Sequence, residues 1–160
     1  MTGRNKIVTA LVVIALPLFA ASTVMAASEH GSGTVTFANS APEITNLPGG
    51  GKVMRINSRG VIIADDPASP FNLSTQDCSG SLVVGANGKP MIESGFCQAI
   101  DRDGDTWSLW YENGAAGNIW KVIGGTGKYL KMTGGGTTKE LFTSLNGRET
   151  VLHWDGSWQR

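Results

Sequence analysis

The chain has 160 residues, with 13 Lys and Arg against 13 Asp and Glu, so its formal charge is zero. That length is one domain rather than several. A balanced charge with no clustered basic face excludes nucleic acid as a partner.

Residues 1–26 read as a cleaved secretory signal peptide. Arg4 and Lys6 form a basic start, Ile7 to Ala21 is almost wholly apolar, and Val24-Met25-Ala26 offers a small-residue cleavage site. The apolar run is short for a bilayer span of about 20 residues. Cleavage leaves about 134 residues and a balance near −2, since Arg4 and Lys6 go with the leader. This gives no electrostatic reason to bind anionic membranes. The expectation is an exported protein, periplasmic or extracellular, with no membrane partner after cleavage.

Residues 27–50 are small, polar and turn-rich, ending in Pro48-Gly49-Gly50-Gly51. They predict a flexible N-terminal segment with one short strand, Thr34 to Ala38. The main domain is expected over 51–160. Val53 to Ile56 and Val61 to Ala64 are apolar runs separated by Asn57-Ser58-Arg59-Gly60, and Asp65 to Asn72 holds two prolines and reads as loop. Paired strand-like runs then flank Asn87-Gly88, Asp103-Gly104, Asn113-Gly114 and Asn146-Gly147. Asn-Gly and Asp-Gly supply the positive φ values that a type I′ hairpin turn needs. No segment after residue 27 sustains a helical period with caps. The pattern predicts an all-β fold, a single closed antiparallel barrel of about eight strands. Closure removes the sheet edges, and eight strands leave room for packed side chains or one small ligand.

Cys78 and Cys97 are the only cysteines. They fall nearly opposite each other across the Asn87-Gly88 hairpin, and in an exported chain such a pair bonds. The alternatives, a redox pair or half a metal site, lack CxxC spacing and nearby His.

Val122-Ile123-Gly124-Gly125-Thr126-Gly127-Lys128-Tyr129, followed by Gly134-Gly135-Gly136, is the most distinctive stretch. It reads as a tight excursion at a barrel rim, with Tyr129 and Leu130 packing inward and the second glycine run breaking the chain again. A phosphate-binding P-loop needs Gly five residues before the Gly-Lys pair and Ser or Thr after it; Val122 and Tyr129 stand there instead. The stretch resembles the Gly-Gly-Thr-Gly-Lys-aromatic turn of dirigent proteins, relatives of the allene oxide cyclases. The resemblance covers about fifteen residues and implies a barrel. It also implies a cavity whose shape holds a reactive conformer, with few catalytic side chains.

Trp107, Trp110, Trp120, Trp154 and Trp158 cluster in the C-terminal half. On a strand, Trp107, Leu109 and Tyr111 face one side and Trp110 the other; Leu152 and Trp154 oppose Val151 and His153. Core packing is the more common use of such rings, and a flat ligand-binding wall is the other. The candidate ligand-binding residues are Trp107, Trp110, Tyr111, Trp120, Tyr129 and Trp154.

The ionisable candidates for acid–base work are His153, Asp101 and Arg55. No nucleophilic triad is visible, and His30 and His153 are the only histidines. Asp101-Arg102-Asp103-Gly104-Asp105 begins like a calcium loop and Glu112 falls at its twelfth place. Thr106 occupies the position of the required Gly, which favours a solvated hairpin tip. No metal and no cofactor are expected. The sequence thus predicts an exported barrel binding a small apolar or aromatic molecule in its lumen, with room for a homo-oligomer. A cavity-guided cyclase, isomerase or stereoselective coupling protein is the second reading, and a structural envelope protein with a filled barrel the third.

Overall fold

A computed structural model of the chain describes residues 28–160; the expected signal peptide, 1–26, lies outside them. The order is β1 (Glu29–Asn39), β2 (Glu43–Asn46), β3 (Lys52–Ala64), β4 (Thr75–Val84), β5 (Pro90–Ile100), β6 (Thr106–Gly114), β7 (Gly117–Gly125), a single 3₁₀ turn (Gly127–Tyr129), β8 (Thr133–Thr143) and β9 (Glu149–Gln159). From β3 to β9 every strand pairs antiparallel with its successor. β1 then closes the wall by pairing with β9 along one edge and with β3 along the other. The result is a closed eight-stranded barrel with β2 as a ninth, external strand on the start of β3.

Three expectations change here. The strand predicted over Thr34 to Ala38 runs from Glu29 to Asn39 and is a full stave, so the barrel begins well before residue 51. Gly31 and Gly33 weaken the alternation that would have marked it. The two apolar runs either side of Asn57 to Gly60 form one strand, because ladders to β1 and β4 hold the polar interval extended. Gly134 to Gly136 lie inside β8, paired with β9, and do not break the chain. At Gly136 a Cβ would strike the Asp155 carbonyl, so glycine permits a close backbone approach.

Three of the four hairpins follow their turn signals; at the fourth, Asn113 and Gly114 are the last residues of β6 and the reversal falls at Ala115-Ala116, before Gly117 with φ of 121°. Gly88, Gly104 and Gly147 have φ of 76°, 88° and 69°, values that favour glycine. Cys78 and Cys97 stand directly opposite in the β4–β5 register and are joined by a disulfide. Closing that loop stabilises the fold by about 3 kcal/mol in the chain-entropy account.

Alternation along the staves sorts the core. Val35, Ile62, Leu109, Trp120, Val122, Trp154 and Trp158 are buried inside, with Ala99 between them. The connection from β3 to β4 adds Phe71, which turns back into the barrel. Its ring lies 4.7 Å from those of Trp107 and Trp158 and 6.0–6.2 Å from those of Trp120, Tyr129 and Trp154. This cluster fills one end of the barrel, the floor. Burying rings of this size contributes about 2–3 kcal/mol each.

Candidate functional site

Above the floor the lumen is not filled. A cavity of about 340 Å³ runs from Phe71, Trp107 and Trp154 towards the opposite end, where Asn39, Asn113, Thr143 and the turn residue Gly147 line it. Its walls are aromatic below and increasingly polar above. An envelope protein with a filled barrel is therefore not what the packing gives.

Glycines shape the space. Tyr111 on β6 points across the lumen, and its hydroxyl occupies the room that Cβ atoms at Gly80 and Gly95 would take. The Tyr111 hydroxyl donates to Glu93 Oε1 at 3.4 Å, and Asn113 Nδ2 donates to Glu93 Oε2 at 3.3 Å. Burial pushes the Tyr111 hydroxyl well above the ordinary tyrosine range, and the neighbouring Glu93 carboxylate adds to the shift. Tyr111 thus stays protonated and serves as a hydrogen-bond donor rather than as an acid.

Deeper in, Gln76 Oε1, Trp107 Nε1 and Trp154 Nε1 are buried without a hydrogen-bond partner. All three residues line the cavity. A buried acceptor or donor left alone costs about 1–3 kcal/mol, so orphans around one cavity call for an explanation. Trp120 differs: its Nε1 donates to the Thr137 carbonyl at 3.2 Å.

The predicted site residues divide accordingly. Trp107, Tyr111, Trp120 and Trp154 meet at the cavity. Trp110 does not line it; it sits on the opposite face of β6 from Trp107, Leu109 and Tyr111. Tyr129 is wholly buried beneath the cavity as part of the floor, stacked on Phe71 at 19° between planes. Leu130, expected inside, is 69% exposed, because the 3₁₀ turn directs only Tyr129 inward. His153 and Arg55 alternate with the inward residues Leu152, Trp154 and Ile56 and lie on the outer wall, so neither reaches the lumen.

Asp101 is buried, but at the floor. Its Oδ1 accepts the backbone N–H groups of Asp103 (2.8 Å) and Asp105 (3.1 Å), closing the hairpin tip. Its Oδ2 lies 3.0 Å from the Tyr129 hydroxyl and 2.7 Å from Lys128 Nζ. Burial alone would raise the Asp101 carboxyl, but Lys128, Tyr129 and the Asp103 N–H outweigh it and hold it below the ordinary aspartate value. The tip itself, Arg102 to Gly104, is solvated as expected, and Asp101 at its base is the buried tie. No group of three His, Cys, Asp or Glu side chains among the described residues is arranged to hold a metal ion.

Glu93, Gln76 and Phe71 escaped the sequence reading. Phe71 stands in a proline-rich loop that looks external, and Gln76 and Glu93 share short strands with no motif. Inward alternation from Cys78 and Cys97 would have found Gln76 and Glu93.

Neither protein-family models nor curated protein sequences match the chain. Solved structures do. The pterocarpan synthase dirigent protein GePTS1 superposes with a TM-score of 0.53 at 14% identity, over 91% of this chain and 96% of that one. PsPTS1, another pterocarpan synthase dirigent protein, gives 0.54 at 14% identity, over 84% and 96%. The barrel is dirigent-like. At this identity the likeness fixes the dirigent-like fold and leaves the chemistry to the residues inside. The Gly124–Tyr129 turn that resembles the dirigent motif builds the floor, with Lys128 and Tyr129 tying it to Asp101.

Proposed function

We propose that this exported barrel binds one small, largely aromatic molecule carrying a hydrogen-bonding group, with its ring against Trp107, Trp120 and Trp154. The observation that carries this reading is the set of unpartnered polar atoms on Gln76, Trp107 and Trp154 beside an apolar cavity of about 340 Å³. A phenolic hydroxyl or a carbonyl would satisfy atoms that the protein leaves alone. The volume is at the small end of ordinary ligand pockets. Export is supported by the Cys78–Cys97 disulfide, which fits an oxidising compartment. No helix of the described residues is long and apolar enough to cross a membrane.

Titration with phenolics, fatty acids and terpenoids, read by tryptophan fluorescence, tests the proposal. Saturable one-site quenching by phenolics is expected, weakened about tenfold in Gln76→Leu. Absence of quenching by every class would end it.

A second reading, cavity-guided cyclisation, isomerisation or stereoselective coupling, is favoured by one observation, the Tyr111–Glu93 pair. It sets a hydrogen-bond donor and a carboxylate beside the aromatic wall, to orient a bound conformer with no triad needed. The names of the structural neighbours, pterocarpan synthases, point the same way. Turnover of a bound ligand that Tyr111→Phe abolishes while binding persists would support catalysis. Unaltered turnover would leave the barrel a binder.

A further inference from the structure

The lumen carries charge of one sign. Among the described residues that line the cavity, Glu93 and Glu140 carry carboxylates and no Lys, Arg or His is present. Glu93 stands on β5 in the inward row with Gly95 and Cys97. Glu140 stands on β8, three staves round the wall, opposite Leu152. Neither forms an ion pair among the described residues. The half-buried Glu93 receives only the long hydrogen bonds from Tyr111 and Asn113, at 3.4 and 3.3 Å. Two bases stand near the rim without lining the cavity. Lys52 heads the β3 row that holds Ile56 and Ser58, and Arg148 is engaged with the Asn39 carbonyl at 3.2 Å.

A carboxylate partly withdrawn from water without a cation costs free energy that a bound cation recovers. Low-dielectric walls concentrate the field of the two carboxylates within the opening, drawing cations in and turning anions away. Rings on Phe37, Trp107, Tyr111 and Trp120 add attraction of the same sign, because the negative faces of aromatic rings favour a positive guest. Deeper in, the demand changes. Gln76 is only 5% exposed and its Oε1 lacks a donor, while the Trp107 and Trp154 N–H groups lack acceptors. That end calls for a neutral hydroxyl, which both gives and accepts a hydrogen bond. The two ends of the cavity ask for different groups on one molecule.

We infer that the ligand of this lumen is an organic cation: an arylalkylamine with its ring against the tryptophans and its ammonium at Glu93, Glu140 standing further round the rim. The inference rests on the lumen being the ligand site and narrows what it takes. A fatty acid or an aryl carboxylate suits the apolar walls equally well but meets two like charges at the entrance. A phenolic hydroxyl on the ring suits the buried orphans, so a phenolic amine satisfies both ends.

Three phenols of like size test it by calorimetry: tyramine, which is cationic, para-ethylphenol, which is neutral, and para-hydroxyphenylpropionate, which is anionic. Tyramine is expected to bind about tenfold tighter than para-ethylphenol, with the propionate weakest, and added salt should narrow the spread. Glu93→Gln should remove most of the amine preference, and Glu140→Gln, at the exposed rim, a smaller part. Glu112→Gln should leave the ranking as it is, because Glu112 alternates with the inward Tyr111 and Asn113 and lies on the outer wall. Circular dichroism checks that each variant keeps its strands; should Glu93→Gln lose them, the ranking on the parent chain and Glu140→Gln still decide. Equal affinity for all three, or tightest binding of the propionate, overturns the cationic ligand while the lumen remains a binding site. So does an amine preference that survives loss of both carboxylates. Binding of none of the three ends this inference, and the wider titration with phenolics, fatty acids and terpenoids then decides the lumen itself.

Discussion

The only two tyrosines of this protein mark its two ends. Tyr129 is buried and Tyr111 half-buried; each lies beside a carboxylate, and each is held above the ordinary tyrosine range, first by loss of water and then by that neighbour. Their surroundings differ. Tyr129 is packed under Phe71 and tied to Asp101, which is itself neutralised by Lys128. Tyr111 stands over two glycines with Glu93 and open cavity above it. One hydroxyl is spent on holding the barrel shut. The other is left in a space large enough for a visitor. The same side chain with the same partner type becomes structure or site according to whether the room around it is filled.

The strongest test removes the filling. Phe71→Ala should lower unfolding free energy by about 3–5 kcal/mol in urea titrations, because one ring touches most of the floor aromatics. A loss below about 1 kcal/mol would mean that the floor does not depend on it. Asp101→Asn comes next, costing about 2 kcal/mol near neutral pH, since Lys128 stays partly solvated. The sign of its pH dependence follows from a depressed carboxyl. Its contribution is complete above the unfolded aspartate value of about 3.9 and is lost as pH falls through the lower folded value. Melting temperature in acid should therefore fall less steeply in Asp101→Asn than in the parent chain.

The smallest effect belongs to the mouth. Glu93→Gln should change stability by under about 0.5 kcal/mol. It should nonetheless lower the Tyr111 ionisation towards the ordinary value without reaching it, because burial remains. Ultraviolet titration resolves this: Glu93→Gln moves one tyrosine step down and Asp101→Asn moves the other. A single change shifting both steps would dissolve the distinction between the ends.

The barrel itself could be read from residues because turn chemistry is local. Asn87-Gly88, Asp103-Gly104 and Asn146-Gly147 each fix a reversal without help from elsewhere, and the register they set brings Cys78 to Cys97. Alternation then put Trp107, Tyr111 and Trp154 on the inner wall. What sequence could not give is whatever depends on long-range pairing. Glu29 to Ser32 looks like loose polar chain and becomes strand only because β9 lies beside it. Phe71 sits in a loop by every local sign and is central only once the barrel exists to receive it. Trp110 and His153 were plausible as site residues by type, and register alone sends them outside. Tyr129 was correctly placed inward, but inward at the floor is packing, and only depth along the axis separates that from binding.

The seam between β1 and β9 has a consequence for assembly. The first strand of the described chain must find the last, while its other edge waits for β3. No partly synthesised intermediate can complete the ring, and loop-closure entropy opposes joining such distant segments until most of the wall stands ready. Until that joint forms, two raw edges remain open to strangers, so the interval before the circle seals is when this protein is most exposed to aggregation.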